Sequence, residues 1–106
     1  MSIPVPLDEL EAQLGAYPWG YLITVSDTQR AHSLAVPTKF VDGVLIADAG
    51  RGTRSFAEAR PNVTMVFPPS ASGDYSLIVD GDASIDGDAV HVRPTTAVLH
   101  RPALPN

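Results

Sequence analysis

Three arginines, Arg51, Arg54 and Arg60, lie within ten positions of a chain that is otherwise acidic. They are three of only seven Lys and Arg residues, and the formal net charge is -5. Gly50 and Gly52 flank Arg51, and glycine lets a backbone approach a ligand closely. A short helix is predicted to follow, and the free amides at a helix N-terminus favour anions. The pattern predicts an anion site in which Arg54 makes a bidentate contact with phosphate oxygens.

Hydroxyl groups and a capping pattern accompany these arginines. Thr53 or Ser55 is predicted to cap the helix, and Ser55 with Glu58 fits a capping box. The alternative is that the arginines only solvate a loop and pair with Asp48 or Glu58. A nucleotide-binding P-loop is excluded, because its lysine and its spacing are absent. The anion site and the surface loop both stay open on this pattern.

The other polar residues give weaker signals for chemistry. His32, His91 and His100 show no metal-ligand spacing, so we expect strand or surface histidines. Four aspartates between residues 80 and 88 lack the terminal glutamate and the spacing of a calcium-binding loop. No nucleophile motif frames a serine, and the chain has no cysteine. We therefore predict no metal site and no dedicated catalytic acid, base or nucleophile.

Composition limits the class of protein. A chain of 106 residues can close one hydrophobic core, and 44% hydrophobic with 18% charged residues is typical of a globular domain. The acidic balance disfavours nucleic acid as a partner. No stretch is long enough to span a membrane, and the first residues lack the basic start of a signal peptide. We expect a single soluble, cytoplasmic domain over residues 1–106, without nucleic-acid or membrane partners.

Apolar and β-branched runs separated by turn signals predict six strands of a small antiparallel barrel. The predicted strands are YLITVS (21–26), AHSLAVPTKFV (31–41), VLIAD (44–48), VTMVF (63–67), YSLIVDGDASI (75–85) and AVHV (89–92). A short amphipathic helix, LDELEAQLG (7–15), precedes them, and the helix with the arginines joins the third and fourth strands. Pro37 predicts an edge, a bulge or a bend, because proline cannot donate to the strand ladder.

In this order, the segments resemble the pyridoxamine 5'-phosphate oxidase-like, flavin-binding split-barrel family. The likeness covers Tyr17 to Arg101 and is carried by YLITVSDTQRAHSLAVPTKFVDGVLIADAGRGTRSFAEARPNVTMVFPP and DYSLIVDGDASI. The closing VRPTTAVLHRP is similar to short actinobacterial-type members. The resemblance implies a mainly β fold, a six-stranded antiparallel split β-barrel with short flanking helices. It also implies a homodimer that binds FMN, or alternatively a deazaflavin coenzyme, at the subunit interface.

The resemblance also implies which residues hold the cofactor. The family's Ser-Arg-Lys-like phosphate cluster falls on Thr53, Arg54 and Ser55, with Ser55 at the lysine position. Arg51 is the hypothetical substitute for the missing lysine. The family's second strand lies along the isoalloxazine ring, and its counterparts here are His32, Ser33, Leu34, Ala35 and Val36. Arg60, at the far end of the helix, is expected to be structural.

The activity implied is that of a flavin-dependent oxidoreductase, with hydride transfer through the flavin N5 to or from a small-molecule substrate. The C-terminal substrate-binding segment of the vitamin B6 oxidases is not found here, so vitamin B6 oxidation is not predicted. The alternative is a non-catalytic dimeric split-barrel binding module with weak or lost cofactor binding, which the serine at position 55 favours. The fold alone does not decide between them, because activity belongs to the site.

Overall fold

The computed structural model describes residues 1–103, which form an antiparallel sheet of eight strands with two short α-helices. The strands are β1 (Ser2–Pro4), β2 (Trp19–Val25), β3 (Ala31–Pro37), β4 (Lys39–Val41), β5 (Val44–Asp48), β6 (Asn62–Phe67), β7 (Ser76–Asp86) and β8 (Ala89–His100). The helices are α1 (Leu10–Leu14), which follows a 3-10 turn at Leu7–Glu9, and α2 (Arg51–Ala59). Residues 104–106 of the predicted domain lie outside the described residues.

The strand order explains why the sheet curls. The order is β3-β2-β6-β7-β8-β5-β4, with β1 paired to β8. β3 and β4 stand at the two ends of this order, yet Thr38 alone joins them along the chain. The sheet must therefore curl until its ends approach each other. The predicted mainly β, curled antiparallel architecture is confirmed.

The predicted number of six strands is wrong, since residues 1–103 hold eight. The predicted strand over residues 31–41 is divided, because β3 ends at Pro37 and the amide of Thr38 donates to the carbonyl of Pro18 at 3.2 Å. β3 is an edge strand, where a proline without an amide is tolerated. The other additional strand is β1, which is only three residues long and carries Pro4. A strand so short, next to prolines, gives no alternating pattern in the sequence.

A bulge between β7 and β8 lets β8 extend far beyond the predicted AVHV. Gly81 pairs with Pro94 while Asp80 pairs with Thr96, so β8 carries one extra residue there. A Cβ atom at Gly81 would lie only 2.5 Å from the carbonyl oxygen of Arg93. The backbones therefore meet at a distance that only glycine permits. Beyond the bulge β8 pairs with β1, and before it β8 pairs with β5.

Alternate residues of the central strands face the core, as the strand period of two requires. Fully buried side chains on these strands include Leu22, Met65, Phe67, Leu77, Val79 and Val92. Leu10 of α1 is also buried, whereas Leu7 is 46% exposed, so only part of the predicted apolar helix face packs on the core. Within residues 1–103, neither helix has the length and apolar character needed to cross a membrane.

Candidate functional site

α2 begins directly after β5 and carries the arginines of the predicted anion site. Its N-cap residue is Gly50, which has an extended backbone and no side-chain cap. The predicted capping by Thr53 or Ser55 is wrong, because the helix starts at Arg51 and both residues lie inside it. Thr53 and Ala57, one turn apart, form the buried face of the helix, which packs near β2 and β7. The arginines are thus left on the exposed side of α2.

A hollow of about 470 Å³ lies on this exposed side, and we call it the α2 hollow. It is lined by Arg51, Arg54, Ser55, Glu58, Ala59 and Ile85. The guanidinium groups of Arg51 and Arg54 and the single carboxylate of Glu58 therefore give the lining a net positive charge. The hydroxyl of Ser55 adds a hydrogen-bond donor. This combination of charge and donors suits an anionic group.

Arg54 is the most constrained cation of the site. Its Nη1 donates to the carbonyl oxygen of Ala49 at 2.8 Å and to Oδ1 of Asp88 at 3.2 Å. The side chain is only 23% exposed. Within residues 1–103 these are the hydrogen bonds of the guanidinium, so its Nε and Nη2 donors remain available to a ligand. The partner carboxylate is Asp88, not the Asp48 or Glu58 that the surface-loop interpretation proposes.

A second, more open groove of about 560 Å³ joins β3 to the start of α2, and we call it the β3–α2 groove. It is lined by Leu34, Ala35, Val36, Pro37, Asp48, Ala49, Gly50, Arg54 and Asp88. Arg54 lines this groove and the α2 hollow alike. Arg54 thus lies beside Arg51 and Ser55 in the α2 hollow and beside Leu34, Ala35 and Val36 in the β3–α2 groove.

The backbone of β3 gives this groove a polar edge. β3 pairs only with β2, because it stands at one end of the strand order. Its outer N–H and C=O groups have no strand partner in the described part of the chain. A planar heterocycle with ring nitrogens and carbonyl groups needs such donors and acceptors at its rim. The side chain of Val36 is buried in the core and that of Leu34 packs against the core, so these residues border the groove without offering an exposed apolar face.

Three predicted site residues lie outside the lining of both hollows. His32 is exposed on β3, and its ring contacts that of Phe56 edge to face at 5.6 Å. Ser33 is exposed on the same strand. Thr53 is buried in the inner face of α2. His32 and Ser33 continue the strand that borders the groove, whereas the position of Thr53 directs its side chain toward the core.

Arg60 connects the end of α2 to the β2–β3 turn. Its Nε donates to the carbonyl oxygen of Val25 at 2.8 Å, and its Nη2 contacts Oδ1 of Asp27. Both partners lie at the end of β2 or just beyond it. Neither the α2 hollow nor the β3–α2 groove includes Arg60. These contacts agree with the structural role expected for this arginine.

Asp88 and the Ala49 carbonyl are the residues near Arg54 that sequence reasoning missed. Asp88 lies 34 positions from Arg54, and only the pairing of β5 with β8 brings the two together. The turn signal at residues 86–88 could indicate a turn but not which residue it meets. No local pattern could have found this contact.

The remaining polar clusters have partners within the fold. Asp80 on β7 accepts hydrogen bonds from the hydroxyls of Thr64 at 2.6 Å and Thr96 at 3.2 Å. Tyr17 donates its hydroxyl to the carbonyl of Tyr75 at 2.7 Å. Burial raises the pKa of the Tyr17 phenol, and the nearby charge of Asp74 raises it further. Within residues 1–103 no group of three or more His, Asp or Glu residues is arranged to hold a metal ion.

Solved structures define the class of protein to which this fold belongs. A candidate pyridoxamine 5'-phosphate oxidase from Corynebacterium glutamicum matches with a TM-score of 0.72 and 12% identity, covering 96% of this chain and 100% of that chain. An FAD binding protein from Mycobacterium smegmatis matches with 0.68 and 21% identity, covering 95% and 100%. An F420 reductase matches with 0.67 and 19% identity, covering 80% and 93%. The chain has the split-barrel fold of pyridoxamine 5'-phosphate oxidase-like proteins, and the predicted resemblance is confirmed.

Sequence relatives define the family more narrowly. An uncharacterized protein from Mycobacterium bovis is 41% identical over an alignment of 122 positions, which covers 96% of this chain and 84% of the relative. An uncharacterized protein from Mycobacterium tuberculosis gives the same values. The chain belongs to one family with these two mycobacterial proteins. No family model matches the chain.

Proposed function

We propose that this chain is a flavin-dependent oxidoreductase that binds FMN, or alternatively a deazaflavin coenzyme, in the region between β3 and α2. The observation that carries the proposal is the junction at Arg54. This residue joins a cationic hollow, lined by Arg51 and Ser55, to a groove bordered by the free edge of β3. A phosphate and a planar ring are the two parts of a flavin that these surfaces suit.

One set of residues fits the phosphate of such a cofactor, and another set fits its ring. Arg54 offers its Nε and Nη2 donors to the phosphate, while Arg51 and Ser55 add a second cation and a hydroxyl. The backbone of β3 from Ser33 to Val36 is placed along the ring. His32 is a further polar group on the same strand, whereas Thr53 is buried on the inner side of α2 and is assigned no contact with the phosphate. Arg51 thus compensates for the lysine that Ser55 replaces.

When bound, a flavin-type cofactor supplies hydride transfer through its N5 atom. The chain's own part is to bind the phosphate, orient the ring and exclude water from one of its faces. We assign no catalytic acid or base to any residue of the chain. The proposal is supported by the split-barrel neighbours, among which one is an FAD binding protein and another an F420 reductase.

A homodimer completes the proposal, and an apolar row on the outer face of the sheet supports it. The register aligns six residues side by side across six strands: Ala35, Tyr21, Val66, Ile78, Val98 and Pro4. We call this set the outer apolar row. Tyr21 is 40% exposed, and neighbouring Trp19 is equally exposed and packs edge to face on it at 5.3 Å. Ala35 also lines the β3–α2 groove, so a second copy on this row would border the proposed cofactor site.

Cofactor binding is tested by the visible spectrum of the purified protein and by fluorescence titration with FMN and with a deazaflavin. We expect micromolar or tighter binding of at least one of them. Arg54→Ala should weaken that binding by roughly tenfold or more, because a charge-assisted contact to phosphate is lost. Arg30→Ala, an exposed arginine on the β2–β3 turn, is the control and should bind like the wild type. A protein that binds neither ligand would refute the flavoenzyme proposal.

The dimer is tested by size-exclusion chromatography with light scattering. We expect the mass of two chains for the wild type and of one chain for Tyr21→Glu, since a charge in the centre of an apolar interface opposes association. Ser84→Glu places the same charge at an exposed position of β7 outside the row and should remain dimeric. A monomeric wild type, or equal behaviour of the two variants, would contradict the proposed interface.

A specific observation favours the second candidate, a non-catalytic dimeric binding module with weak or lost cofactor binding. Arg54 already pairs with Asp88, and Asp48 lines the same groove. A phosphate must therefore approach a cation whose charge is partly neutralised. Dimers that bind neither FMN nor a deazaflavin would favour this candidate over the oxidoreductase.

A further inference from the structure

Asp88 places a negative charge where the proposed cofactor site needs a positive one. It lies in the turn between β7 and β8, and its carboxylate is 3.2 Å from Nη1 of Arg54. The Asp88 side chain is 89% exposed, so it faces solvent as well as the guanidinium. It also lines the β3–α2 groove directly.

The two hollows that meet at Arg54 differ in their charge. In the β3–α2 groove, Arg54 is accompanied by the two carboxylates of Asp48 and Asp88, which gives a negative balance. In the α2 hollow, Arg54 and Arg51 face the single carboxylate of Glu58, which gives a positive balance. An anionic group is therefore repelled from the groove and attracted to the hollow. The binding of an uncharged ring is not affected by this difference in charge.

The contacts of Arg54 show whether Asp88 orients the guanidinium or opposes the ligand. Nη1 also donates to the backbone carbonyl of Ala49, at the shorter distance of 2.8 Å. This backbone partner holds the guanidinium in place without Asp88. Exposed ion pairs contribute little to holding a side chain, because both groups are well solvated. The main effect of Asp88 is thus the charge it adds beside the phosphate position.

We propose that Asp88 is a specificity-determining residue, which weakens the binding of a dianionic phosphate and confines the anionic end of the ligand to the α2 hollow. This inference rests on the proposed function, because it concerns the same cofactor site. The carboxylate acts on the charge of the ligand and not on its ring. Its removal should therefore strengthen the binding of phosphorylated flavins only.

The test compares FMN with riboflavin, which has the same ring but no phosphate. Dissociation constants are measured by fluorescence titration for the wild type, Asp88→Asn and Asp86→Asn. Asp86 ends β7 next to the same turn, has an exposed side chain and does not line the groove, so Asp86→Asn is the matched control. We expect Asp88→Asn to bind FMN about three- to tenfold more tightly, with riboflavin unchanged and Asp86→Asn like the wild type. The gain should shrink at high salt.

The other outcomes separate the role of Asp88 from the flavin site itself. Weaker binding of FMN by Asp88→Asn would show that Asp88 orients Arg54. Unchanged FMN binding, an equal gain for riboflavin, or an equal gain in Asp86→Asn would remove Asp88 as a specific determinant while the flavin site stands. FMN binding that appears only in Asp88→Asn would support the inference. Absence of FMN and riboflavin binding in wild type and variants alike would overturn the flavin site and the role of Asp88 together.

Discussion

The β7–β8 pair and the β3–α2 groove hold their residues in place by different means. Along the pair, cross-strand partners run from Ser76 with His100 to Asp86 with Ala89, and the inward side chains of Leu77, Val79, Val90 and Val92 have no exposed surface. The groove is bordered by an edge strand that has a neighbour on one side only. The pair therefore contributes to stability through tight packing, whereas the groove keeps polar backbone and charge accessible. Substitutions in the first region should change unfolding, and those in the second should change ligand binding.

Two glycines make this difference measurable, one in β7 and one in α2, the helix that begins at the groove. A Cβ atom at Gly81 of β7 would meet the Arg93 carbonyl oxygen at 2.5 Å and a methyl group of Val92 at 2.6 Å. A Cβ atom at Gly52 of α2 would meet nothing within 4 Å. Neither glycine has the positive φ angle that would itself exclude alanine. The same chemical change thus tests close packing at one site and open space at the other.

The largest effect is expected for Gly81→Ala. The added methyl group cannot be accommodated without moving the β8 backbone at the bulge, and overpacking of this kind costs about 2–3 kcal/mol. Urea unfolding followed by circular dichroism should show this loss in the free energy of unfolding. Asp82→Ala, at the next and exposed position of β7, is the control and should change it by less than about 1 kcal/mol. A stability for Gly81→Ala equal to that of the wild type would show that the bulge is not tightly packed.

The same contrast separates what the sequence could predict from what it could not. Local signals predicted where strands end and turn. The Asp42-Gly43 turn has positive φ at both residues, and Pro37 ends an edge strand. Both features depend on the backbone preferences of one or two residues. The turn and the edge strand were predictable because each follows from neighbours in the chain.

β1 and the contact of Arg54 with Asp88 were missed because they depend on residues far apart in the chain, whereas the error at the start of α2 is local. β1 forms only because β8 is long enough to pair with it beyond the bulge. Arg54 meets Asp88 through the pairing of β5 with β8, so the contact is set by the sheet and not by spacing. The capping box failed because Gly50 allows α2 to begin earlier than Ser55 would. In the candidate site, residue types were predictable but their partners were not.

Arg54 in α2 and Arg60 directly after it differ in the same way: one borders the candidate site, and the other is held within the fold. Arg60 is held by the Val25 carbonyl and Asp27, and it borders neither hollow. Arg54 is held through Nη1 and lines both the groove and the hollow. A basic cluster in the sequence thus divides into an arginine that joins α2 to the β2–β3 turn and an arginine that can meet a ligand. Their spacing on the helix does not reveal this division, because it depends on what each side of α2 packs against.

The smallest effect is expected for Gly52→Ala, and its sign is opposite to that of Gly81→Ala. Alanine loses less backbone entropy than glycine in a helix, so the free energy of unfolding should rise by roughly 0.5 kcal/mol. If the first turn of α2 approaches the cofactor phosphate, the same methyl group should weaken FMN binding while the protein becomes more stable. Urea unfolding and FMN titration of one preparation measure both quantities. A variant that loses stability would contradict the open space at Gly52, and one that gains stability with unchanged FMN affinity would place the phosphate away from this turn.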